Sequence, residues 1–329
     1  LNAEGKQTMQ LLVETKADTI INAIRALSGA IHLVFEEGIH SAWLYDLLQP
    51  YVVELVVCDP RKNNFKGNKS DDKDAYRLAL RLRAGDLKAV YKGEHGLKTL
   101  KELACVYQDL VRDCTRSKNR IKAIFRARAI DNDGTLPYHA EKRQLFLAQL
   151  SEPGVQLRAA LLYQQLDALV PLVEQAHQAM IKEARKHPAY PILDSIPQFG
   201  PIRTALTLAM MLTPFRFRTR RQLWAYSGFA VVTSSSADYE VDKGKIKRTK
   251  RPPQTRGLNK NYNRTLKSVF KSAATAATTG VLKEYYDALL AKGTSEKMAR
   301  LTLARKIASV VLTLWKTGVP FDAKIFLAA

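Results

Sequence analysis

Residues 30–60 read AIHLVFEEGIHSAWLYDLLQPYVVELVVCDP, and this stretch decides the fold class of the first part of the chain. Two apolar runs, AIHLVFEE and VVELVVCDP, have the composition of β-strands, and HSAWLYDLL between them has the pattern of a helix. A helix is also predicted at residues 17–27, where apolar side chains recur at helical spacing. Such alternation of strands and helices predicts an α/β domain over residues 1–94.

The chain upstream of this stretch predicts a strand and a turn. QTMQLLVE, at residues 7–14, has strand composition and follows a tight turn at Glu4-Gly5. Because Leu1 to Ala3 read as the end of another strand, we expect the first strand of the domain to lie before Leu1.

The composition favours a protein that binds a polyanion. The chain has 329 residues, 46% of them hydrophobic, which is enough for two or three folded domains. Its formal net charge of +21 favours binding to nucleic acid, and an anionic membrane surface is the alternative. No apolar run reaches the roughly 18 residues of a membrane helix. Cys58, Cys105 and Cys114 show no paired spacing and predict reduced thiols in a cytoplasmic protein. The scattered histidines argue against a Cys/His zinc site.

Long helices are predicted for residues 95–187. One apolar stripe follows a heptad pattern and contains Leu100, Leu103, Tyr107, Leu110, Cys114, Ser117, Ile121 and Ile124. A second stripe contains Leu162, Leu166, Leu169, Val173, Ala176 and Met180. With a loop near DNDGTLPYH between them, the stripes predict an antiparallel, coiled-coil-like hairpin. They serve either core packing or contact with a partner chain.

The region 188–329 is predicted to be a separate helical domain. In SIPQFGPIRTALTLAMMLTPFRF a short turn at Gly200-Pro201 opens a helix, which resembles a helix-hairpin-helix element whose backbone N–H groups bind phosphate. VVTSSSADYEVD is interpreted as a polar loop, and the last eighty or so residues return to helical spacing.

Basic residues are concentrated between positions 243 and 271, where no acid occurs. The cations are Lys243, Lys245, Lys247, Arg248, Lys250, Arg251, Arg256, Lys260, Arg264, Lys267 and Lys271. A solvated face or a disordered tail is the alternative, but the position between predicted helices favours contact with nucleic-acid phosphates. Arg112, Arg116 and Arg120 form a second basic strip.

Three carboxylates stand at a predicted helix start in KSDDKDA, residues 69–75. Asp71 and Asp74 share one helix face, whereas Asp72 points elsewhere. Glu36, at the end of the strand AIHLVFEE, is costly to bury without a partner. Together Glu36, Asp71 and Asp74 could hold Mg²⁺, which prefers oxygen ligands and supports phosphodiester chemistry. The alternative is a solvated first turn at the positive end of a helix dipole.

Three stretches in order, FEEGIHSAWLYDLL, KSDDKDAYRLALRLRAG and SIPQFGPIRTALTLAMMLTPFRFRTRRQLWAYSGFAVVTSSSADY, resemble the DEDD transposases of bacterial insertion sequences, the insertion-sequence one-ten group. The resemblance covers nearly the whole chain. It implies a RuvC/RNase H-like α/β domain, a coiled-coil segment and a C-terminal transposase domain that carries a serine. It also implies DNA recombination guided by a structured RNA from the element's own end.

The resemblance carries site residues over by position. The second acid of the family's tetrad falls on Glu36, and the third and fourth fall on Asp71 and Asp74. The first acid belongs on a strand before Glu4-Gly5, and no acid of this chain fits there. The nucleophilic serine falls in the loop after YSG, where Ala237 aligns with the family's glycine and selects Ser236. Ser235 is nearly as good, and from residues alone Ser234 to Ser236 read as a flexible turn.

The resulting interpretation is a site-specific DNA recombinase of a bacterial insertion element, acting in the cytoplasm at the nucleoid. Mg²⁺ at the carboxylates and a serine that forms a covalent phosphoserine would cleave and rejoin strands. The expected partners are the DNA of the element ends and target, a guide RNA and further copies of the chain, with no membrane. A RuvC-like nuclease that uses water, or an inactive DNA-binding remnant, are the alternatives.

Overall fold

The structure is a computed structural model that describes residues 1–61, 63, 70–90, 96–234, 239–242, 245–248 and 254–328. The chain forms two compact units, Leu1–Glu94 and His95–Ala329. The first unit is mixed α/β, and the second is mostly helical with short strands. The predicted division at residue 187 falls inside the second unit and stays a prediction.

The first unit contains the predicted strand–helix–strand. Its elements are α1 (Ala17–Arg25), β1 (His32–Glu36), α2 (Ser41–Leu48), a 3₁₀ turn (Gln49–Tyr51), β2 (Glu54–Cys58) and α3 (Asp71–Arg83). β1 and β2 pair in parallel, with His32 opposite Glu54 and Glu36 opposite Cys58. α2 packs against β2 and α3 against β1, so helices connect and cover parallel strands as the α/β prediction requires.

The predicted strand at residues 7–14 is wrong. The turn before it is present, because Gly5, in the left-handed region at φ +84°, donates its N–H to Asn2 O at 2.9 Å. Residues 7–14 nevertheless form no strand, and Leu12 is fully exposed. A strand needs a neighbour for its backbone N–H and C=O groups, and among the described residues no segment pairs with this one.

The second unit begins with the predicted helical hairpin. α4 (Lys98–Arg126) and α6 (Pro153–Ala184) pack along each other, with the short α5 (Arg143–Leu147) in the connection. The heptad face of α4 is turned toward α6: Ile121 and Ile124 form one buried cluster with Tyr163 and Leu166. Of the two uses left open for the stripes, the structure therefore shows packing inside one chain.

The base of the hairpin shares a core with the rest of the unit. The following elements are α7 (Tyr190–Asp194), α8 (Gly200–Met211), α9 (Arg220–Tyr226), β3 (Val231–Ser234), β4 (Tyr239–Asp242), β5 (Lys245–Arg248), β6 (Gln254–Leu258), α10 (Arg264–Ala276), α11 (Gly280–Ala291), α12 (Glu296–Thr317) and α13 (Ala323–Ala328). From Ile307 to Trp315 α12 is buried on nearly every side, and the helix packs on α9, α10 and α11. A helix with this composition is stable only when it is buried.

The polar loop predicted for VVTSSSADYEVD is wrong in the described part. β3 pairs antiparallel with β6, and β4 pairs antiparallel with β5. The partner of β3 is about twenty residues away, so local composition carried no signal of the pairing. α7, a turn with Gln198 and Gly200 at positive φ, and α8 occupy the predicted helix-hairpin-helix positions, but that identification stays a prediction.

None of the helices in the described ranges combines the length and apolar character that crossing a bilayer requires.

Candidate functional site

The predicted carboxylates lie on neighbouring elements of the first unit. Glu36 is the last residue of β1, and the Glu37 N–H donates to Cys58 O across the parallel pair at 2.9 Å. Burial raises the pKa of the Cys58 thiol, and the negative charge of Glu36 raises it further. Glu36 is exposed rather than buried at the end of its strand, and it stands at the carboxyl end of the sheet, where α/β folds place their sites.

α3 begins at the predicted acids because Ser70 caps it. Ser70 Oγ accepts a hydrogen bond from Lys73 N at 3.4 Å, and Ser70 O accepts from Asp74 N at 2.9 Å. Asp71 and Asp72 are exposed, whereas Asp74 is half-buried on the same side as the buried Leu78. The acids thus differ in environment although they share one helical turn.

Asp74 has an oxygen that suits a cation. Its Oδ1 is buried without a hydrogen-bond partner, and Arg77 Nη1 lies 3.9 Å away, too far for a hydrogen bond. Together with Glu36 and Asp71, it offers the hard oxygen donors that Mg²⁺ prefers. In the described residues, however, no three His, Cys, Asp or Glu side chains converge on one point. The donor chemistry fits a divalent ion, and a ready-made cage is absent from this part of the chain.

The approach to the serine loop is held by hydrogen bonds to its carbonyl groups. The YSG turn at residues 226–228 precedes β3, and the Asn263 N–H donates to Tyr226 O at 2.7 Å. Asn259 donates through Nδ2 to Ala225 O at 2.8 Å and through its backbone N–H to Ala230 O at 3.0 Å. Two backbone segments that are distant in sequence are thereby joined at the base of β3.

Arg305 and Tyr262 add two more contacts, and we call the set formed by Asn259, Tyr262, Asn263 and Arg305 around the YSG turn the clamp. Arg305, on α12, donates to Phe229 O through Nε at 2.9 Å and Nη2 at 2.6 Å. Gly228 has φ +74°, and the ring of Tyr262 lies so close to it that a Cβ there would stand 2.5 Å from Tyr262 Cγ. These contacts hold the YSG turn in place immediately before β3. Ser234 is the last residue of that strand and pairs with Gln254. Ser235 and Ser236 lie outside the described residues.

The predicted basic residues are distributed over several elements. Lys243, Lys250 and Arg251 lie outside the described residues, and Lys247 and Arg248 belong to β5. Lys245 and Arg256 are exposed on β5 and β6, and Lys260 is exposed in the turn that follows. Arg264 and Lys267 lie on α10.

α10 places its cations on one side because it is amphipathic. Leu266, Val269 and Phe270 are buried, which leaves the other face for an open depression of about 620 Å³. Its lining residues are Tyr262, Arg264, Lys267, Ser268, Lys271, Ser272 and Thr275. Cations and hydroxyl groups in one depression make a surface for an anion such as a phosphate.

Lys267 connects this depression to the clamp. Its Nζ lies 4.0 Å from the centroid of the Tyr262 ring, within cation–π range. The same Tyr262 ring also lies against Gly228. Arg203 of α8 donates to Ser272 Oγ at 2.9 Å, which ties the start of α8 to the same helix. Burial lowers the pKa of Arg203 from its ordinary value.

The second predicted basic strip is partly neutralised. Arg112 pairs with Asp109, and Arg116 pairs with Asp113 at 2.9 Å, each three residues away on α4. Such pairs lower the net positive charge of this face, so the strip is a weaker candidate for phosphate contact than α10.

The residues that build the clamp were not predicted from the sequence. The clamp contacts of Asn263 and Arg305 carry no local signal, because each acts on a backbone carbonyl far away in sequence. The basic loop before α9 was not predicted either. The signal that could have found that loop is the absence of any Asp or Glu between Asp194 and Asp238.

Comparison with known protein families gives two matches. A DEDD transposase model of the IS110 group, described as a transposase, matches residues 2–128, which include Glu36, Asp71 and Asp74. A second model, described as Transposase IS116/IS110/IS902 family, matches residues 190–256, which include the YSG turn and the serine loop. No curated protein matches the chain. The two models match successive parts of the chain, and the chain belongs to the IS110 family of transposases, the DNA-processing enzymes of insertion sequences.

Proposed function

We propose that this protein is a site-specific recombinase that cleaves and rejoins DNA through a serine nucleophile, with Mg²⁺ as cofactor and a structured RNA as guide. The observation that carries the proposal is the clamp. The clamp holds the turn that precedes β3, the strand that ends at Ser234, and its Tyr262 also lines the cationic depression of α10. A hydroxyl group at the end of a held strand and cations for the adjoining phosphates are the parts that phosphoryl transfer to serine needs.

In the proposed reaction the hydroxyl oxygen of Ser236, or of Ser235 in the neighbouring register, attacks phosphorus. The bond from phosphorus to the leaving oxygen of the DNA strand breaks, and that oxygen takes up a proton. The covalent phosphoserine keeps one phosphodiester bond for each bond broken. A hydroxyl group of the second strand then attacks phosphorus and releases the serine.

The surrounding residues act on charge and position. Arg264, Lys267 and Lys271 would neutralise phosphates of the bound strand. Glu36, Asp71 and Asp74 would hold the Mg²⁺, which when bound stabilises negative charge on phosphoryl oxygens. The partners would be the DNA of the element ends and target, the guide RNA and further copies of the chain.

The test is denaturing electrophoresis of the protein with its RNA and labelled target DNA. The unmodified protein should give a covalent protein–DNA band, and Ser236→Ala should remove this band without weakening DNA or RNA binding. Ser235→Ala tests the neighbouring register. Ser151→Ala, at an exposed position in the hairpin connection, is the matched control and should leave the band unchanged.

A variant with alanine at Ser234, Ser235 and Ser236 decides between mechanisms. If it still forms adduct and recombines DNA, the serine mechanism is wrong. If it cleaves DNA in Mg²⁺ without any adduct, the protein is a nuclease of the RuvC type that uses water. If the unmodified chain binds DNA but does not cleave it, the protein is an inactive DNA-binding remnant.

A further inference from the structure

The loop between α8 and α9 holds its backbone in an unusual conformation. Leu212, at the end of α8, has φ +65°, a backbone angle that residues other than glycine rarely adopt. Thr213 Oγ1 then accepts a hydrogen bond from Phe215 N at 3.3 Å, which starts a 3₁₀ turn at Pro214–Arg216. A strained residue that persists shows that the surrounding structure determines the path of this loop.

Further contacts hold the second half of the loop. Lys316 Nζ, on α12, donates to Phe217 O at 2.5 Å, and Arg218 N donates to Gln222 Oε1 at 2.7 Å. The Phe217 ring is buried and packs on Tyr226 at a centroid distance of 5.4 Å. The loop is therefore fastened to α9 and α12 from both sides.

Phe215 is the exception in this well-packed loop. Its side chain is 72% exposed, whereas its neighbours Pro214 and Phe217 are buried. Burying a phenyl ring is one of the larger stabilising contributions a side chain can make, and the fold does not use it here. An aromatic ring presented to solvent by a fixed backbone is the arrangement expected of a contact residue.

The charges around Phe215 indicate what it contacts. Arg218, Arg220 and Arg221 are exposed on the same loop and the first turn of α9. No carboxylate of the described residues forms an ion pair with Arg218 or Arg221. The charge of Arg220 adds to the effect of burial in lowering the pKa of Lys306. The surface is therefore cationic and suits a polyanion that also offers an apolar, planar group.

Nucleic acid meets both requirements. Its phosphates match the arginines, and the face of a base that is not stacked in a duplex matches a phenyl ring. A lipid surface or an acidic protein would match the charges without a planar group. Base stacking on aromatic side chains tolerates any sequence, because every base has a π-face.

We propose that Phe215 stacks on an unpaired base of a DNA or RNA strand whose phosphates lie on Arg218 and Arg221. The inference rests on the proposed function only in taking nucleic acid as the substrate. It adds a stacking site on the α8–α9 loop, apart from the serine loop and from the α10 depression.

The test is fluorescence anisotropy of the full chain with labelled oligomers of about 20 nucleotides. The probes are a single strand of oligothymidine, a single strand of oligouridine, an abasic deoxyribose strand and a blunt-ended duplex. Phe215→Ala should weaken binding of the thymidine or uridine strand roughly 5- to 150-fold, which corresponds to about 1–3 kcal/mol. Binding of the abasic strand should stay unchanged, because it lacks the base.

Matched variants separate stacking from other effects. Phe215→Trp should keep the affinity, and Phe215→Leu, which is apolar without a π-face, should lose most of it. Leu145→Ala, at a position 61% exposed in the hairpin connection, should have no effect. Phe215→Ala should leave the salt dependence unchanged, whereas Arg221→Gln should lower its log–log slope by about one unit.

The outcomes are distinct. A larger loss on the thymidine strand assigns the site to DNA, and a larger loss on the uridine strand assigns it to RNA. Equal losses on the abasic strand overturn the proposal, since the loop rather than a base would then be affected. Unchanged affinities, or no binding of any nucleic-acid probe by the unmodified chain, also overturn the proposal. If Phe215→Ala then changes the size of the protein assembly in sedimentation, the ring contacts protein instead. The serine reaction is judged separately, by the adduct band.

Discussion

The ring of Tyr262 covers Gly228 so closely that a Cβ at position 228 would stand 2.5 Å from Tyr262 Cγ and 2.8 Å from Cδ1. This contact joins the YSG turn to the segment that leads into α10. Glycine is required twice over at this position, since the backbone also has φ +74°.

Gly228→Ala should therefore lower the free energy of unfolding by about 2–4 kcal/mol, from the left-handed backbone and the overlap with Tyr262. Gly293→Ala is the matched control: it has φ +80° with nothing within 4 Å of the added Cβ, and should cost only about 1 kcal/mol. Urea unfolding measures both. In Gly228→Ala/Tyr262→Ala the two effects should be less than additive; strict additivity would mean that the ring is not what excludes the Cβ.

Asp74 should matter more for Mg²⁺-dependent cleavage than its neighbour Asp72. Asp74→Asn removes charge from the half-buried carboxylate whose Oδ1 lacks a hydrogen-bond partner, and we expect cleavage to fall by roughly 100-fold or more. Asp71→Asn should reduce cleavage as well. Asp72→Asn, the isosteric control in the same turn, should be nearly silent. A gel-based cleavage assay with graded Mg²⁺ measures these effects, and equal losses at 72 and 74 would contradict the assignment.

The α10 cations should carry part of the salt dependence of nucleic-acid binding. Changing Arg264, Lys267 and Lys271 together to glutamine should lower the log–log slope by about two to three units, because each phosphate contact releases counterions. The control is Arg112→Gln/Arg116→Gln, since ion pairs with neighbouring aspartates already engage both cations. Binding isotherms at several salt concentrations decide. An unchanged slope in the triple variant would show that this face is only solvated.

Stability should fall on acidification because of His187. Burial lowers its pKa from the ordinary 6.5, and its Nδ1 accepts a hydrogen bond from Ala189 N at 3.0 Å, so the folded state holds a neutral ring. The unfolded state binds more protons. The contribution of His187 is therefore fully present above pH 6.5 and is lost as pH falls from there through the folded pKa.

The measurement is the free energy of unfolding between about pH 5.5 and 7.5. His187→Asn keeps an acceptor without titrating and should flatten the profile. His40→Asn, at an exposed position of the first unit, should leave the slope as it is. A profile for His187→Asn as steep as that of the unmodified chain would exclude His187 as the cause.

The sequence by itself determined the α/β pattern of residues 30–60, the helical hairpin and the chemical groups available to the site. The strand–helix–strand pattern of residues 30–60 and the heptad stripes of α4 and α6 depend on residues within a few positions of each other. These features were therefore predicted correctly, as was the helical hairpin. The same local reasoning failed for residues 7–14, because strand composition does not supply the neighbouring strand that pairing needs.

Tertiary structure alone decided which groups hold the approach to the serine loop. Asn259 and Ala225 are 34 positions apart, and Arg305 and Phe229 are 76 apart. Backbone carbonyl groups are present at every residue, so sequence cannot mark which of them will accept a distant side chain. The same holds for Phe215, because a phenylalanine is expected in the core on the basis of its side chain alone. Only the folded path of the loop, set by Leu212, leaves the ring exposed among arginines.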